Sequence, residues 1–385
     1  MSAFRSARQV RFRTLAASAG LALIAVTAGC AGTVATPGKI SAAPISTRTS
    51  PATAPGYFLD IVQFSGAVSG GELQVRRAAT GALVQQPPVL ALGVAPLGGS
   101  AEFVVAELAG NRCASALYRT HISAAGRPGP LTRLGPLVHG QVTSLAAAEN
   151  GRTVAYFAWP CSKSASGYLA ALNVGSGHVR RWGDVSVEGS AGNITAGSDL
   201  SLSASGRLAI FSGAAAGAGA VTTQQVRTLS TSARAGTLAQ RSHVVLTRSA
   251  SGAQLDSVLL SPDGRSFYLC TVSTKGTVSA HRTVTQTTVI TARRISSGAR
   301  TGTLATLRAT GVTFPGQGFG CTMAASPGDR YVLAPYTAKY ASSSETGPLV
   351  RAARIDVATK AAAVISFRLP GSAGMSVATG VRIAW

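Results

Sequence analysis

Short apolar segments alternate with turn-forming residues along most of the chain, and this alternation predicts β-strands joined by hairpins. One example is LSPDGRSFYLC, in which the apolar residues 258–260 precede the turn residues 261–264. Proline presets the backbone of such a turn, aspartate hydrogen-bonds within it, and glycine accepts a positive φ. Residues 265–270 then supply aromatic and aliphatic strand formers, so this segment predicts a strand, a turn and a second strand.

The same pattern returns along the chain, each time with a turn glycine in front of an apolar strand. The turn glycines lie 52, 55, 58 and 64 residues apart, and they are Gly99, Gly151, Gly206, Gly264 and Gly328. A second hairpin pattern alternates with the first and occupies residues 71–86, 116–134, 167–182, 225–240, 288–307 and 349–367. Two hairpins in each repeat give four strands per repeat.

Four-stranded repeats of this length predict an all-β fold, a β-propeller with six four-stranded blades, and seven blades are the alternative. One blade cannot bury both of its faces, so neighbouring blades stack around a ring. The chain interior lacks a sixth inner hairpin. Residues 374–385 beside residues 57–64 can supply it, which closes the ring with the N- and C-terminal strands. Two β-sandwiches would not alternate the same two patterns, and a β-helix would have a shorter period.

Two of the repeated segments resemble the blades of TolB-like and YVTN-type propellers, which are WD40-like. The resemblance rests on SPDGR at residues 261–265, before an aromatic strand, and on LNVGSGHVRR at residues 172–181. It covers most of residues 57–385, although the WD dipeptide of WD40 proteins is absent. The resemblance implies a propeller fold and a binding or scaffolding role, and it carries over no active site.

The first 29 residues have the layout of a signal peptide. Arginines at positions 5, 8, 11 and 13 precede an apolar run over residues 15–26, and no acid occurs before Cys30. That run is shorter than the ~20 residues of a membrane span. Residues 28–30 (AGC) resemble the lipobox of bacterial lipoproteins, with Thr27 in place of the usual leucine, and the resemblance implies lipidation of Cys30. An ordinary secretory signal is the alternative.

Residues 30–56 predict a disordered tether because they are rich in Ala, Thr, Ser and Pro and contain no aromatic residue. The predicted organisation is therefore a signal peptide at residues 1–29, a tether at residues 30–56 and a propeller domain at residues 57–385. It places the protein on the outer, extracytoplasmic face of the cell membrane, held by the lipid anchor, or otherwise makes it a secreted protein.

The chain is strongly basic, with 35 Lys and Arg against 13 Asp and Glu and a net charge of +22. These charges are spread along the chain without basic runs or interleaved aromatic residues, so we expect no nucleic-acid partner. An exported basic protein meets anionic lipid heads and anionic envelope polymers instead. We expect a monomer whose partners are the membrane and either a protein or an anionic envelope polymer.

Four cysteines follow Cys30, and an even number in an exported chain favours disulfides. Three pairings are possible. Cys113 and Cys161 follow the second inner strands of neighbouring repeats at matching points, whereas Cys270 ends an inner strand and Cys321 starts the next repeat. We therefore predict the bonds Cys113–Cys161 and Cys270–Cys321. A zinc site is the alternative, but no CxxC pair occurs.

Residues suited to catalysis are sparse in this sequence. The histidines form neither HxH nor HExxH, and no GxSxG elbow or P-loop occurs, so we predict no catalytic residue, metal or cofactor. The acids are too dispersed to give evident acid–base pairs, and the least explained are Asp184 and Glu188. Tyr336, Lys339 and Tyr340 form an amphipathic cluster in a predicted loop and are the candidate binding residues.

Three functional hypotheses remain open at this point. The first is a lipid-anchored propeller that binds or scaffolds a protein or an envelope component without catalysis. The second is a propeller enzyme, a lyase or hydrolase acting on a wall or extracellular substrate, which would bring His121, His139 or Asp184 together at the central channel. The third is a structural component of the envelope.

Overall fold

The repeated strand pattern is present in the computed structural model of the protein. The structure describes residues 56–64, 70–99, 101–110, 113–161, 166–186, 194–217, 220–249, 253–275, 283–312, 321–339, 349–368 and 378–385. The predicted signal peptide, Cys30 and the predicted tether up to residue 55 lie outside these residues. The described helical elements are α1 (Leu238–Arg241) and a 3-10 turn at Pro327–Asp329, and neither has the length or apolar character to cross a bilayer.

The described strands form four hydrogen-bonded sheets. Sheet 1 contains β1 Tyr57–Phe64, β2 Gly71–Arg77, β3 Leu83–Gln85, β4 Leu90–Pro96, β5 Glu102–Ala109, β6 Ala114–His121, β7 Thr132–His139 and β25 Ala378–Ala384. Sheet 2 contains β8 Gln141–Ala147, β9 Thr153–Trp159, β10 Gly167–Asn173, β11 Val179–Ser186, β12 Ile194–Leu202, β13 Leu208–Gly217, β14 Ala220–Ser230, β15 Gly236–Thr237 and β16 His243–Ser249. Sheet 3 contains β17 Gln254–Leu260, β18 Ser266–Lys275, β19 Thr283–Arg294 and β20 Arg300–Val312, and sheet 4 contains β21 Ala324–Ala325, β22 Tyr331–Lys339, β23 Leu349–Asp356 and β24 Ala362–Arg368.

Sheet 1 consists of two antiparallel runs of four strands, and sheet 2 consists of two such runs together with the short strand β15, which pairs in parallel with β11. In sheet 1, run 1 (β25-β1-β2-β3) meets run 2 (β4 to β7) through the pairs Gly71–Ala91 and Glu72–Leu90. In sheet 2, run 3 (β8 to β11) meets run 4 (β12, β13, β14 and β16) through a parallel contact of two residue pairs between β11 and β12. Sheets 3 and 4 are run 5 and run 6.

These runs give the chain an all-β propeller fold, as the sequence predicts. The predicted number of separate blades, six or seven, differs from the number of sheets, which is four among the described strands. The difference arises because the two short links merge runs 1 and 2, and runs 3 and 4, into continuous hydrogen-bonded sheets.

The turn glycines of the repeated pattern have the backbone conformation that the sequence predicts. Each joins the first two strands of a run and has a positive φ, and the five values are 52° for Gly99, 69° for Gly151, 69° for Gly206, 68° for Gly264 and 72° for Gly328. In the turn of run 5, Asp263 Oδ1 accepts hydrogen bonds from the Ser261 hydroxyl at 2.6 Å and the Arg265 N–H at 3.0 Å. The side chain of Asp263 therefore fixes the turn locally.

Hydrophobic clusters lie between consecutive runs, and a sixth cluster joins run 6 to run 1. Alternate residues of one strand face opposite neighbours because side chains alternate across a β-sheet. Representative pairs within the six clusters, in chain order, are Val75 with Phe103, Leu117 with Tyr156, Phe157 with Phe211, Ile210 with Phe267, Tyr268 with Val332, and Phe58 with Phe367. The core is thus divided into layers between the runs.

The two ends of the described chain pair with each other, as the sequence predicts. Strand β25 lies antiparallel to β1, with Leu59 opposite Ala384 and Ile61 opposite Arg382. Trp385 is buried and its ring centroid lies 5.9 Å from that of Tyr331 in run 6. The C-terminal strand therefore contacts both the first and the last run.

Candidate functional site

Six apolar side chains meet at the centre of the molecule, one from the innermost strand of each run or from the residue just before it. All six line both of two small cavities, so they separate one cavity from the other. We call them the apolar ring, and they are Val94, Leu145, Leu200, Leu259, Met323 and Ile383.

The two cavities lie on opposite sides of the apolar ring. Residues that follow a ring residue line the first cavity together with the turns of the inner hairpins, and we call it the turn cavity. Residues that precede a ring residue line the second, which we call the polar cavity, and they are Gly93, Ser144, Asp199, Val258 and Thr322. The innermost strands therefore run in the same direction around the channel.

The turn cavity has a volume of about 110 Å³, and Glu149 is the one carboxylate among its described lining residues. Glu149 Oε1 accepts a hydrogen bond from the Gly328 N–H at 3.2 Å, which joins run 3 to run 6. The Ala204 N–H donates to the Pro262 carbonyl at 3.0 Å and so ties two neighbouring turns together. The carboxylate is therefore used in holding turns together.

The polar cavity has a volume of about 80 Å³ and collects hydroxyls around one carboxylate. Ser144 is 5% exposed and Asp199 is 7% exposed, and Thr322 completes this polar lining. Sites for drug-sized ligands enclose roughly 300–1,000 Å³, so both cavities hold no more than an ion, a water cluster or the tip of a side chain.

The polar-cavity side also holds a second carboxylate, that of Asp256, which is partly buried. It lies two residues before Val258 and accepts a hydrogen bond from the Cys321 N–H, next to Thr322. Burial raises the pKa of Asp256, and this hydrogen bond acts in the opposite direction. The hydrogen bond between Asp256 and the Cys321 N–H fixes the chain where it enters run 6.

Both predicted disulfides are present with the predicted pairing. Cys113–Cys161 joins run 2 to run 3 with a Cα–Cα distance of 5.4 Å, and Cys270–Cys321 joins run 5 to run 6 with a distance of 6.3 Å. Disulfides persist in oxidising compartments and are rare in the cytosol. The two bonds are therefore typical of an extracytoplasmic protein.

The candidate binding residues do not come together as a described surface. Tyr336 lies where the register of β22 shifts between Pro335 and Thr337, and it is 5% exposed within the core cluster between runs 5 and 6. Its carbonyl accepts a hydrogen bond from Gln286 Nε2 at 2.9 Å. Its ring thus packs in the core and is not free for surface contact. The backbone of Lys339 ends β22, and Tyr340 lies outside the described residues.

The enzyme hypothesis places His121, His139 or Asp184 at the central channel, but all three lie away from both cavities. His121 ends β6 and is exposed, His139 ends β7 and is exposed, and Asp184 is an exposed residue of β11 with a φ of 62°. None of the three lines the turn cavity or the polar cavity. Glu188 is outside the described residues, and the part of the chain that the structure describes has no metal-binding cluster of His, Cys, Asp and Glu.

Sequence reasoning missed the apolar ring and Asp199. The ring residues carry a positional signal, because Val94 and Leu259 lie five residues before their turn glycines and Leu145 and Leu200 lie six residues before theirs. Asp199 then follows as the residue immediately before Leu200. Residue type alone does not identify the apolar ring, because its members are residues that are common in any protein core.

A buried ion pair occupies the contact between run 1 and run 6. Arg76 Nε donates to Asp60 Oδ2 at 2.9 Å, and both side chains are at most 2% exposed. Arg76 also donates to the carbonyls of Gly81 and Arg368, at 3.0 and 3.2 Å, and lies over the Phe367 ring. Asp60 Oδ1 is buried without a hydrogen-bond partner among the described residues.

Comparisons with known proteins give fold-level similarity to solved structures. No protein family and no curated protein matches the sequence. A TolB-type protein of Agrobacterium tumefaciens is 11% identical, with 86% of this chain and 98% of that chain covered and a TM-score of 0.46. The periplasmic gluconolactonase PpgL of Pseudomonas aeruginosa is 13% identical, with 85% and 98% covered and a TM-score of 0.44. Hydrazine synthase of Kuenenia stuttgartiensis is 13% identical, with 82% and 80% covered and a TM-score of 0.41.

Proposed function

We propose that the six runs are the six blades of a propeller and that β25 and β1 close its ring. Three observations support this arrangement. The hydrophobic clusters link each run to the next and run 6 back to run 1, as Phe58 and Phe367 do at a centroid distance of 5.9 Å. Each run supplies one member of the apolar ring. The first and last strands pair with each other.

We propose further that this extracytoplasmic propeller is a non-catalytic module that binds or scaffolds a protein or a cell-envelope component. The observation that carries this proposal is the apolar ring, which fills the channel where blades converge. It leaves two cavities of about 110 and 80 Å³, each with a single lining carboxylate among the described residues. Recognition would then use the outer surface and the rims of the ring.

The proposed anchor is a lipid on Cys30, with residues 31–56 as the tether to the propeller. The lipobox resemblance at residues 28–30 supports this anchor, and the disulfides support the extracytoplasmic location. Two acyl chains give stable anchoring where one chain is marginal. Residues 30–385 still hold 31 Lys and Arg against 13 Asp and Glu, and this excess favours an acidic partner. We also propose a monomer, because both edges of β1 are paired, one with β2 and the other with β25.

A propeller enzyme, a lyase or hydrolase acting on a wall or extracellular substrate, is the second candidate. The observation that favours it is the grouping of Asp199, Ser144 and Thr322 in the polar cavity. We expect no turnover of isolated cell-wall material by the full chain. Turnover that is lost in Asp199→Asn and retained in Asp184→Asn would contradict the non-catalytic binding function and support the enzyme.

The binding function is tested by crosslinking the tagged full-length protein in its own membranes, beside a Cys30→Ala variant. We expect a discrete crosslinked partner that is lost or displaced in the variant, together with release of the variant from the membrane fraction. Absence of a partner in repeated captures would contradict the binding module. Equal solubility of both forms would contradict the lipid anchor alone.

A further inference from the structure

Positive charge is concentrated in runs 4 and 5. Runs 4 and 5, residues 194–312, contain twelve Lys and Arg but only three acids, Asp199, Asp256 and Asp263. Asp199 lines the central polar cavity, Asp256 accepts from the Cys321 N–H, and Asp263 accepts from Ser261 and Arg265. No carboxylate of this part of the sequence is therefore left to neutralise its outer arginines.

Three of these arginines meet at the outer part of the contact between run 4 and run 5. Arg293 of β19 lies directly opposite Arg300 of β20. Arg248 of β16 shares the face of Leu246, which packs in the cluster between runs 4 and 5, and the charges of Arg248 and Arg300 both act on Arg293. We call Arg248, Arg293 and Arg300 the arginine cluster.

The backbone around the arginine cluster is fixed by close packing between the two runs. The turn from β19 to β20 lies against β16, and a Cβ added at Gly298 would lie 2.3 Å from the Val245 carbonyl oxygen. Ile295 of the same turn packs with Val245 and Leu246 in the cluster between the runs. The arginines are thus held close together by the fold.

The hydrogen bonds of the cluster leave donors available. Arg293 Nη1 donates to the Gly298 carbonyl at 2.7 Å, while its Nε is buried without a hydrogen-bond partner among the described residues. Arg300 Nη2 donates to Thr303 Oγ1. Burial lowers the pKa of Arg293, and the neighbouring charges of Arg248 and Arg300 lower it further.

Such an arrangement costs free energy in the absence of a ligand. Like charges directly opposite each other on neighbouring strands are destabilising, and a buried donor without a partner loses its hydration. An anion placed among the guanidinium groups removes both costs. A guanidinium presents two parallel donors to an oxyanion, and these charge-assisted bonds are stronger than neutral ones.

We propose that the arginine cluster is a binding site for a phosphate group. Three cationic forks suit the three or four oxygens of a phosphate better than the two oxygens of a carboxylate. The site rests on the proposed binding function and deepens it, because it assigns phosphate chemistry to the envelope component. A phosphate-bearing polymer and a phospholipid head group carry the same group.

The test uses titration calorimetry of the full-length protein in detergent with linear polyphosphate and with inorganic phosphate. Arg293→Gln with Arg300→Gln is the site variant. Arg294→Gln with Arg207→Gln is the matched control, because Arg294 is the exposed neighbour of Arg293 on the opposite face of β19, Arg207 is exposed in the first turn of run 4, and their loss removes the same two charges. We expect at least tenfold weaker polyphosphate binding in the site variant and a change below twofold in the control.

The source of the phosphate group is distinguished with vesicles of phosphatidylglycerol and of phosphatidylcholine. Binding to phosphatidylglycerol that is also lost in the site variant assigns the site to a lipid head group, and binding to polyphosphate alone assigns it to a polymer. Equal polyphosphate affinity of the site variant and the control overturns the site. Failure to capture a partner in membranes, with the phosphate affinity intact, overturns the binding function and leaves the site standing.

Discussion

The ion pair of Asp60 and Arg76 shows how burial can outweigh a favourable charge contact. Burial raises the pKa of Asp60 to about 6, although the charge and hydrogen bond of Arg76 act to lower it. One carboxylate oxygen is paired with Arg76 and the other is buried without a partner in the described structure. The free-energy cost of removing a charge from water can exceed the stabilisation that one ion pair provides.

Substitution Asp60→Asn tests this balance through the pH dependence of stability. A raised folded-state pKa means that the stabilisation from the protonated carboxyl is fully present below pH 3.8 and is lost as the pH rises through about 6. Relative to the wild type, the free energy of unfolding of Asp60→Asn should therefore rise by about 2 kcal/mol between pH 4 and pH 7. Urea unfolding at a series of pH values measures it.

Asp263→Asn is the control with the opposite sign. The hydrogen bond from Ser261 and that from Arg265 lower the pKa of Asp263, so its stabilisation is present above the ordinary pKa and is lost on acidification. Its variant should lose stability relative to the wild type as the pH rises. A flat or falling difference for Asp60→Asn would show that Arg76 dominates instead.

At the level of the strands and turns, the repeated glycines set how two strands of one run are joined. Gly206 and Gly264 occupy the same turn position and have nearly the same positive φ, 69° and 68°. A Cβ at Gly264 would make only ordinary contacts, at 3.6 Å or more, whereas a Cβ at Gly206 would lie 2.5 Å from Thr153 Oγ1. The two positions thus separate backbone strain from steric conflict.

Alanine substitutions at these two glycines should differ in cost. Gly264→Ala should lower the free energy of unfolding by about 1 kcal/mol, the cost of a positive φ for alanine. Gly206→Ala should cost about 1–3 kcal/mol more, because Thr153 must move to make room. Denaturant unfolding of both variants measures the costs, and equal values would contradict the steric account.

The hairpins could be predicted from the sequence because their turn residues act locally. Gly99, Gly151, Gly206, Gly264 and Gly328 mark hairpins through their own φ, and no distant contact is needed. The two links that merge four runs into two sheets could not be predicted, since they depend on how neighbouring runs approach in space. Tyr336 was predicted to lie in an exposed loop, but it is a buried residue of β22. Its burial could not be predicted because it depends on the register shift in that strand.

At the level of the whole molecule, the contact of β25 with β1 decides whether the ring is continuous. Without β25, run 1 loses its innermost strand and Ile383 leaves the apolar ring. The cluster of Phe58, Phe367 and Trp385 also loses one of its aromatic side chains. Loss of a large buried aromatic side chain alone typically costs 3–5 kcal/mol.

A chain that ends at Pro370 should therefore lose its cooperative thermal transition and associate through the exposed edge of β1. Near-ultraviolet circular dichroism and size-exclusion chromatography measure the two effects. A matched control restores residues 371–385 as a separate peptide, which should recover part of the signal. A monomeric truncated chain with the wild-type transition would contradict ring closure.

The disulfide pairing could be predicted from the sequence because each pair of cysteines lies in neighbouring repeats, which come close together in a radial arrangement, and Cys113 and Cys161 also lie at matching points. The candidate site could not, because the apolar ring is built from six residues that are far apart in sequence and individually typical of a core. The arginine cluster escaped notice for the same reason. Its three members come from β16, β19 and β20 and meet only when two runs pack together.

The apolar ring makes the axis of the molecule a partition and not a conduit. A buried water molecule needs two to four polar partners, and the side chains of the ring offer none, so the axis is dry at that level. The Glu149 side and the Asp199 side of the apolar ring are therefore separated by an apolar layer, and a group held on one side has no polar path to the other.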